Sequence, residues 1–279
     1  MYTLADQAFR PFERAHIEQN RFLTLIPALK GRKGGTHTLS EWAYTIGLFQ
    51  SVIHSAVGER DKLDVLDVGC GSGRLSLAVA SLLGANGRYV GIDISHEDID
   101  LCLRLGHDSR FSFVHLDHSN RFYAPGQESN YPPYDLEDAT FDVVTALSVW
   151  THLNKPDAIF YGKELCRVLR PGGKAVLTFF HLDEHYQDFL TRIPDQSAYS
   201  LRKPGRYVFD QPVDGSPDWC CPSWVAQPEV AIGVTPQGMA DFQTETGLRL
   251  ATAHRGNWKE KPGLFFQDVL IFEKPAASA

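Results

Sequence analysis

Residues 63–73 read Leu-Asp-Val-Leu-Asp-Val-Gly-Cys-Gly-Ser-Gly, and no other run narrows the possible folds so far. Val65, Leu66 and Val68 form a short apolar stretch around an acid, Asp67. Three alternating glycines follow, Gly69, Gly71 and Gly73, and then apolar residues at helical spacing, Leu75, Leu77, Ala78, Val79 and Leu82. The pattern predicts a buried strand, a tight turn and a helix over 73–83, the opening unit of a nucleotide-binding α/β sheet. Glycine suits such a turn because the backbone must bend sharply and come close to a ligand, which a Cβ would obstruct.

The run argues against the commoner dinucleotide fingerprint, G-x-G-x-x-G, since its third glycine would fall on Arg74, and a dehydrogenase is the last rival reading. A second acid, Asp93, ends the next apolar strand, Tyr89-Val90-Gly91-Ile92-Asp93. In this kind of sheet an acid about 20 residues past the glycine loop reads ribose hydroxyls.

The rest of the chain continues the alternation. A helix predicted near the N-terminus starts at Thr38 or Ser40, Ser40 being a good N-cap, and carries Trp42, Tyr44, Ile46, Leu48 and Phe49. Strands follow at 88–93, 111–116, 141–147 and 174–180, with a helix opening at Ser95 and another from Pro156 to Leu169. Arg170-Pro171-Gly172-Gly173 reads as a helix stop. Residues 182–233 read as irregular, 235–246 as a last helix, and 248–254 and 264–273 as final strands too closely spaced for a parallel crossover. This order predicts a mostly parallel sheet with helices on both faces, ending in an antiparallel pair. The domains expected are a helical cover over 1–57 and an α/β domain over 58–279 with an insertion at about 182–233.

With 279 residues, 43% hydrophobic and 22% charged, the composition is that of an ordinary globular chain. No run approaches the ~20 apolar residues of a membrane helix, and the first residues lack the basic and apolar regions of a signal peptide. Five cysteines without metal-type spacing fit a reducing cytoplasm, the expected location. A net charge of −7 without a basic stripe argues against nucleic acid as a partner. Nothing in the sequence sets the oligomeric state.

Taken together, D-x-G-x-G-x-G at the end of a first strand and an acid at the end of the second resemble class I S-adenosylmethionine-dependent methyltransferases. The resemblance covers about residues 60–180 by motif. It implies a Rossmann-like sheet of seven strands and S-adenosylmethionine as cofactor. Asp67, Gly69, Cys70, Gly71 and Gly73 match the loop around the methionine part. Asp93 matches the ribose acid, Ile94 the residue beside adenine, and Asp117 the polar residue that takes the adenine amino group, with His118 bordering it. Leu147 lies at the crossing after the fourth strand, and Tyr44 on the covering helix is a candidate to reach the methionine carboxylate, a core aromatic being the other reading of it. Ala146-Leu147-Ser148 lacks the acid that holds magnesium in catechol-type enzymes, so no metal is expected.

Methyl transfer from a sulfonium needs an acceptor placed near the methyl, water kept out and, for a hydroxyl acceptor, a proton removed. His152, just after the fourth strand, is the candidate base, since imidazole accepts a proton near neutrality. His181 and His185 stand behind it. Trp150, His181, Arg202, Arg206 and Trp258 are candidate acceptor contacts, a hydroxylated small molecule being the acceptor expected. The arrangement, including Gln267-Asp268, resembles bacterial methyltransferases that act on sugars or glycolipids. N- or C-methylation, and a cofactor-binding partner subunit without catalysis, stay open as alternatives.

Overall fold

The computed structural model describes residues 25–28, 31, 38–116, 133–192 and 206–276. The chain divides into two compact units, Met1–Asp117 and His118–Ala279.

In the first unit, helix α1 (Leu39–Val57) begins with a reciprocal cap. The Thr38 hydroxyl accepts the Glu41 N–H at 3.1 Å, and the Glu41 carboxylate accepts the Thr38 N–H at 3.0 Å. Two orphan donors are thereby satisfied, which is why Thr38 and not Ser40 is the N-cap. The helix buries Trp42, Thr45, Phe49, Val52 and Ile53, one stripe at 3–4-residue spacing. Strand β1 (Asp64–Val68) is buried at every position. Helix α2 (Arg74–Val79) is shorter than its apolar spacing predicts. It stops because the chain turns at Leu82–Leu83 and lays Gly84 against Lys62; a Cβ at Gly84 would sit 2.0 Å from the Asp61 carbonyl oxygen.

Strand β2 (Arg88–Asp93) runs parallel to β1, helix α3 (His96–Arg104) is capped by Ser95, and β3 (Phe111–His115) runs parallel to β2. The order β3-β2-β1 places the carboxyl ends of β1 and β2 side by side, with Val68 opposite Ile92. Among the described residues no helix is long and apolar enough to cross a membrane.

In the second unit, β4 (Phe141–Ala146) leads through a 3₁₀ turn (Trp150–His152) into helix α4 (Lys155–Val168), capped by Asn154. The helix stops where Arg170-Pro171-Gly172-Gly173 predicts, but strand β5 (Leu169–His181) already begins there and passes through the Pro-Gly-Gly. Gly172 takes a φ of 78°, and the pairing with β4 shifts register between Phe141 and Val143, so the glycines form an irregularity inside the strand.

Residues 182–233, expected to be irregular, carry helix α5 (Glu184–Arg192) and short strands β6 (Gln211–Val213), β7 (Ser216–Cys221) and β8 (Gly233–Val234). Short elements rich in Pro and Trp give little periodicity, and these fold because they share a core with the sheet. Phe180, Leu182, Tyr186, Phe189, Tyr207 and Phe209 pack in one cluster. Helix α6 (Pro236–Thr246) follows, capped by Thr235 and stopped by left-handed Gly247. Strands β9 (Arg249–His254) and β10 (Asp268–Glu273) pair antiparallel as expected, with β10 also antiparallel to β5.

Candidate active site

The first unit assembles the glycine loop. Gly69, Gly71 and Gly73 all adopt left-handed φ values, 68°, 51° and 82°, which residues with a Cβ rarely tolerate. The loop is tied to the end of β2: the Gly69 and Cys70 N–H groups both donate to the Ile92 carbonyl, at 2.8 and 3.1 Å. Asp93 completes the tie, one carboxylate oxygen accepting the Gly71 N–H at 2.7 Å and the other the Ser95 N–H at 2.8 Å. This one carboxylate braces both the loop and the start of α3. A Cβ at Gly71 would meet no atom within 4 Å, so the loop presents bare backbone to open space.

Asp67 is buried and accepts the Tyr89 hydroxyl at 2.6 Å. Burial and this neighbouring carboxylate push the Tyr89 phenol well above its ordinary pKa, so it stays a donor. Cys70 faces Cys102. Its neighbour Cys102, then burial, then the charges of Asp67 and Asp93 raise the Cys70 thiol well above its ordinary pKa, and both thiols donate to the Gly71 carbonyl, at 3.8 Å from Cys70 and 3.3 Å from Cys102. Arg74, where a dinucleotide loop would have glycine, lies 5.9 Å from the centre of the Trp42 ring. Beyond Asp93, the Ile94 carbonyl accepts a hydrogen bond from His115 Nε2 at 3.1 Å, and the His115 ring stacks on His96 at 3.4 Å and 11°. Asp67, Gly69, Cys70, Gly71, Gly73, Asp93 and Ile94 thus come together. Tyr44 is 61% exposed, on the side of α1 away from Trp42 and Phe49. Asp117 and His118 lie outside the described residues.

In the second unit, Leu147, Ser148 and the 3₁₀ turn follow the carboxyl end of β4. His152 is partly buried there, its Nδ1 2.7 Å from the Glu229 carbonyl oxygen. A carbonyl only accepts, so Nδ1 carries the proton and Nε2 is the basic nitrogen. Burial lowers the pKa of this imidazole, and the hydrogen bond to Glu229 offsets the shift in part.

Trp150 and Trp258, expected to contact an acceptor, are core residues. Trp150 is fully buried between Phe179 and Phe242. Trp258, 1% exposed, packs on Phe180, Tyr186 and Phe209 and donates its indole N–H to Asp268 at 2.9 Å. Neither offers a ring face to a ligand. Asp268 also accepts the N–H groups of His181 and Gly256, at 2.9 and 2.8 Å, and pairs with Lys259 at 2.9 Å. Lys259 is wholly buried and pairs with Asp183 at 2.9 Å as well. Burial would raise the Asp183 pKa, but the lysine and the Tyr186 N–H keep it below the ordinary carboxylate value.

Asp268→Asn leaves Lys259 with one full counter-charge in a dry site and is expected to cost about 2–3 kcal/mol of stability. Urea unfolding would measure this, and an unchanged midpoint would show the pair to be dispensable.

His181 lies at the carboxyl end of β5, its pKa lowered by burial and by Lys259, and its Nε2 is buried with no partner among the described residues. His185 is more open, 3.4 Å from Arg255. Arg206 covers the Trp224 ring at 4.5 Å, and Trp224 is 43% exposed, an available aromatic–cation pair. Arg202 lies outside the described residues.

The sequence does not mark Tyr89, Cys102 or the Glu229 carbonyl. Each meets its partner from at least 22 residues away, and only the folded chain supplies the pairing.

The family model described as a methyltransferase domain matches residues 59–204. An arsenite methyltransferase of Aquipseudomonas alcaligenes is 30% identical over 132 residues, 47% of this chain and 36% of that protein. A demethylmenaquinone methyltransferase of Bacillus cereus is 32% identical over 111 residues, 40% of this chain and 42% of that protein. The chain thus spans well under half the length of these curated relatives. Two solved S-adenosylmethionine-dependent methyltransferases share the fold. One from Methanosarcina mazei has a TM-score of 0.50 at 18% identity, over 81% of this chain and 97% of that one. The other, from Mesorhizobium loti, has a TM-score of 0.50 at 14% identity, over 80% and 96%. The shared architecture is a Rossmann-like α/β fold with a mostly parallel sheet and an antiparallel edge.

Proposed function

The chain belongs to the methyltransferase-domain family, and from that premise we propose that it moves the methyl group of S-adenosylmethionine to a hydroxyl oxygen of a small molecule, with His152 taking the proton. The donor site fits this cofactor. Gly71 offers bare backbone to open space, and Asp93 ends β2 with a carboxylate, the acceptor type that a ribose diol calls for. When bound, S-adenosylmethionine supplies an electrophilic methyl whose C–S electron pair returns to sulfur as the acceptor oxygen forms the new C–O bond.

The observation that carries the hydroxyl reading is the bond from His152 Nδ1 to the Glu229 carbonyl. It fixes the ring as a base-competent tautomer just past the carboxyl end of β4, the end of a strand at which open α/β sheets bind their ligands. His152 is neutral at pH 7 because burial lowers its pKa, so it is ready to accept a proton from an alcohol. A sugar, glycolipid or other hydroxylated natural product meets these requirements. Transfer to nitrogen or carbon would need no such base.

The test is transfer of radiolabelled methyl from S-adenosylmethionine to a panel of glycosides, phenols, arsenite and a demethylmenaquinone. Methyl ethers are the expected products. Labelled arsenic or carbon products with no ether would replace the hydroxyl reading by that of one of the relatives.

A further inference from the structure

Ser148 follows β4 in a conformation that its own side chain disfavours. Its φ is 60°, the left-handed region that serine enters only at a cost. Strain of this kind persists only where the surroundings fix it, and here two side chains do so. Thr178 Oγ1, on β5, accepts the Ser148 N–H at 2.7 Å. Gln267, 119 residues away in sequence and 5% exposed, holds the hydroxyl. Its Nε2 donates to Ser148 Oγ at 2.7 Å, and the Ser148 hydroxyl donates to its Oε1 at 3.0 Å.

The second Nε2 proton also has an acceptor, Thr151 Oγ1 at 3.4 Å. Gln267 therefore grips the turn in two places, at Ser148 and at Thr151. Thr151 is wholly buried, and its carbonyl accepts the Ile232 N–H at 2.8 Å. The next residue is His152, whose backbone N–H donates to the Val149 carbonyl at 2.9 Å and whose Nδ1 meets the Glu229 carbonyl. Strand β10 explains the reach. It runs antiparallel to β5 and starts opposite Phe179, with Asp268 tied to the His181 N–H, so Gln267 just ahead of it arrives at the carboxyl end of β5. Strand β4 lies parallel beside β5 and ends there too.

We propose that Gln267 is a positioning residue for the base: by holding the left-handed turn at Ser148 and Thr151, it keeps the His152 ring on the Glu229 carbonyl. The inference rests on the reading of His152 as proton acceptor. Gln267 acts through Ser148 and Thr151 and not on the methyl acceptor.

Heteronuclear NMR of the His152 ring in the full chain tests this with no acceptor present. The wild-type ring is expected to be a single Nδ1–H tautomer that titrates below the ordinary 6.5. Gln267→Leu nearly keeps the volume but removes the amide, which orphans two hydroxyls and lets Ser148 relax. A ring released from Glu229 gains water, so this variant should show mixed tautomers and titrate close to 6.5. Adding Ser148→Gly should restore much of the wild-type signal, because glycine takes the left-handed turn without strain and removes one orphaned hydroxyl. A general loss of packing would instead be deepened by glycine. Thr151→Val is close to isosteric and loosens one grip only, so it should fall between wild type and Gln267→Leu. Circular dichroism verifies that each variant folds. A wild-type tautomer and titration in Gln267→Leu and Thr151→Val overturns the inference, as does a failure of Ser148→Gly to restore the ring. The reading beneath it fails differently: near wild-type kcat in His152→Ala, with the glycosides and phenols above, would end the base role while the NMR result stood.

Discussion

Asp93→Ala is expected to weaken S-adenosylhomocysteine binding by about 10²–10³-fold, the loss of two hydrogen bonds to a charged group. The effect has two sources. In the cofactor complex the carboxylate would face the ribose hydroxyls, and in the protein as it stands it fastens the Gly71 and Ser95 N–H groups. Asp93→Asn separates them, since its amide oxygen can still accept one N–H. It should bind more tightly than the alanine variant and more weakly than the wild type. Titration calorimetry gives the comparison, and wild-type affinity in Asp93→Ala would remove Asp93 from the cofactor site.

His152→Ala is expected to lower kcat by about 10²–10⁴-fold with little change in S-adenosylhomocysteine affinity, the usual range for a lost general base. The pH profile carries more information than the rate. Burial depresses the His152 pKa below its ordinary 6.5, so wild-type turnover should be flat at neutral pH and fall only in more acidic solution. That acid limb should vanish in the variant. The stability consequence has a definite sign: the unfolded chain binds protons at His152 and His181 near 6.5, while the folded chain refuses them until lower pH. Stability is therefore full above 6.5 and falls as pH drops from there toward the depressed values. Near wild-type kcat in His152→Ala would make the histidine a structural link to Glu229 and shift attention to His181, whose Nε2 has no partner among the described residues.

The glycine loop was legible because its information is local. Glycines in a left-handed turn and an acid at a strand end are fixed by backbone geometry within 30 residues, so Gly69, Gly71, Gly73 and Asp93 could be read directly. The surroundings of His152 are not local. His152 was singled out by position, but its tautomer depends on Glu229, 77 residues on, and the neighbouring Ser148 is bonded to Gln267, 119 residues on. Trp150 and Trp258 show the limit from the other side. An aromatic beside a cleft and an aromatic in a core have the same sequence signature, and here dense packing around Phe179 and Phe180 claimed both. Thr38 displaced Ser40 as cap for a similar reason, since only Thr38 has Glu41 three residues ahead to reciprocate.

Strand β10 has a consequence for how this chain is made. It lies between β5 and β9, and it bonds to a strand translated long before it: Asp268 reaches back 87 residues to His181. Until the ribosome has delivered residues 268–273, β5 keeps an open edge and β9 has no partner among the described strands. An open edge of that kind invites pairing with the wrong chain. A chain that stops short of residue 268 therefore leaves that edge uncovered, and one six-residue strand closes it.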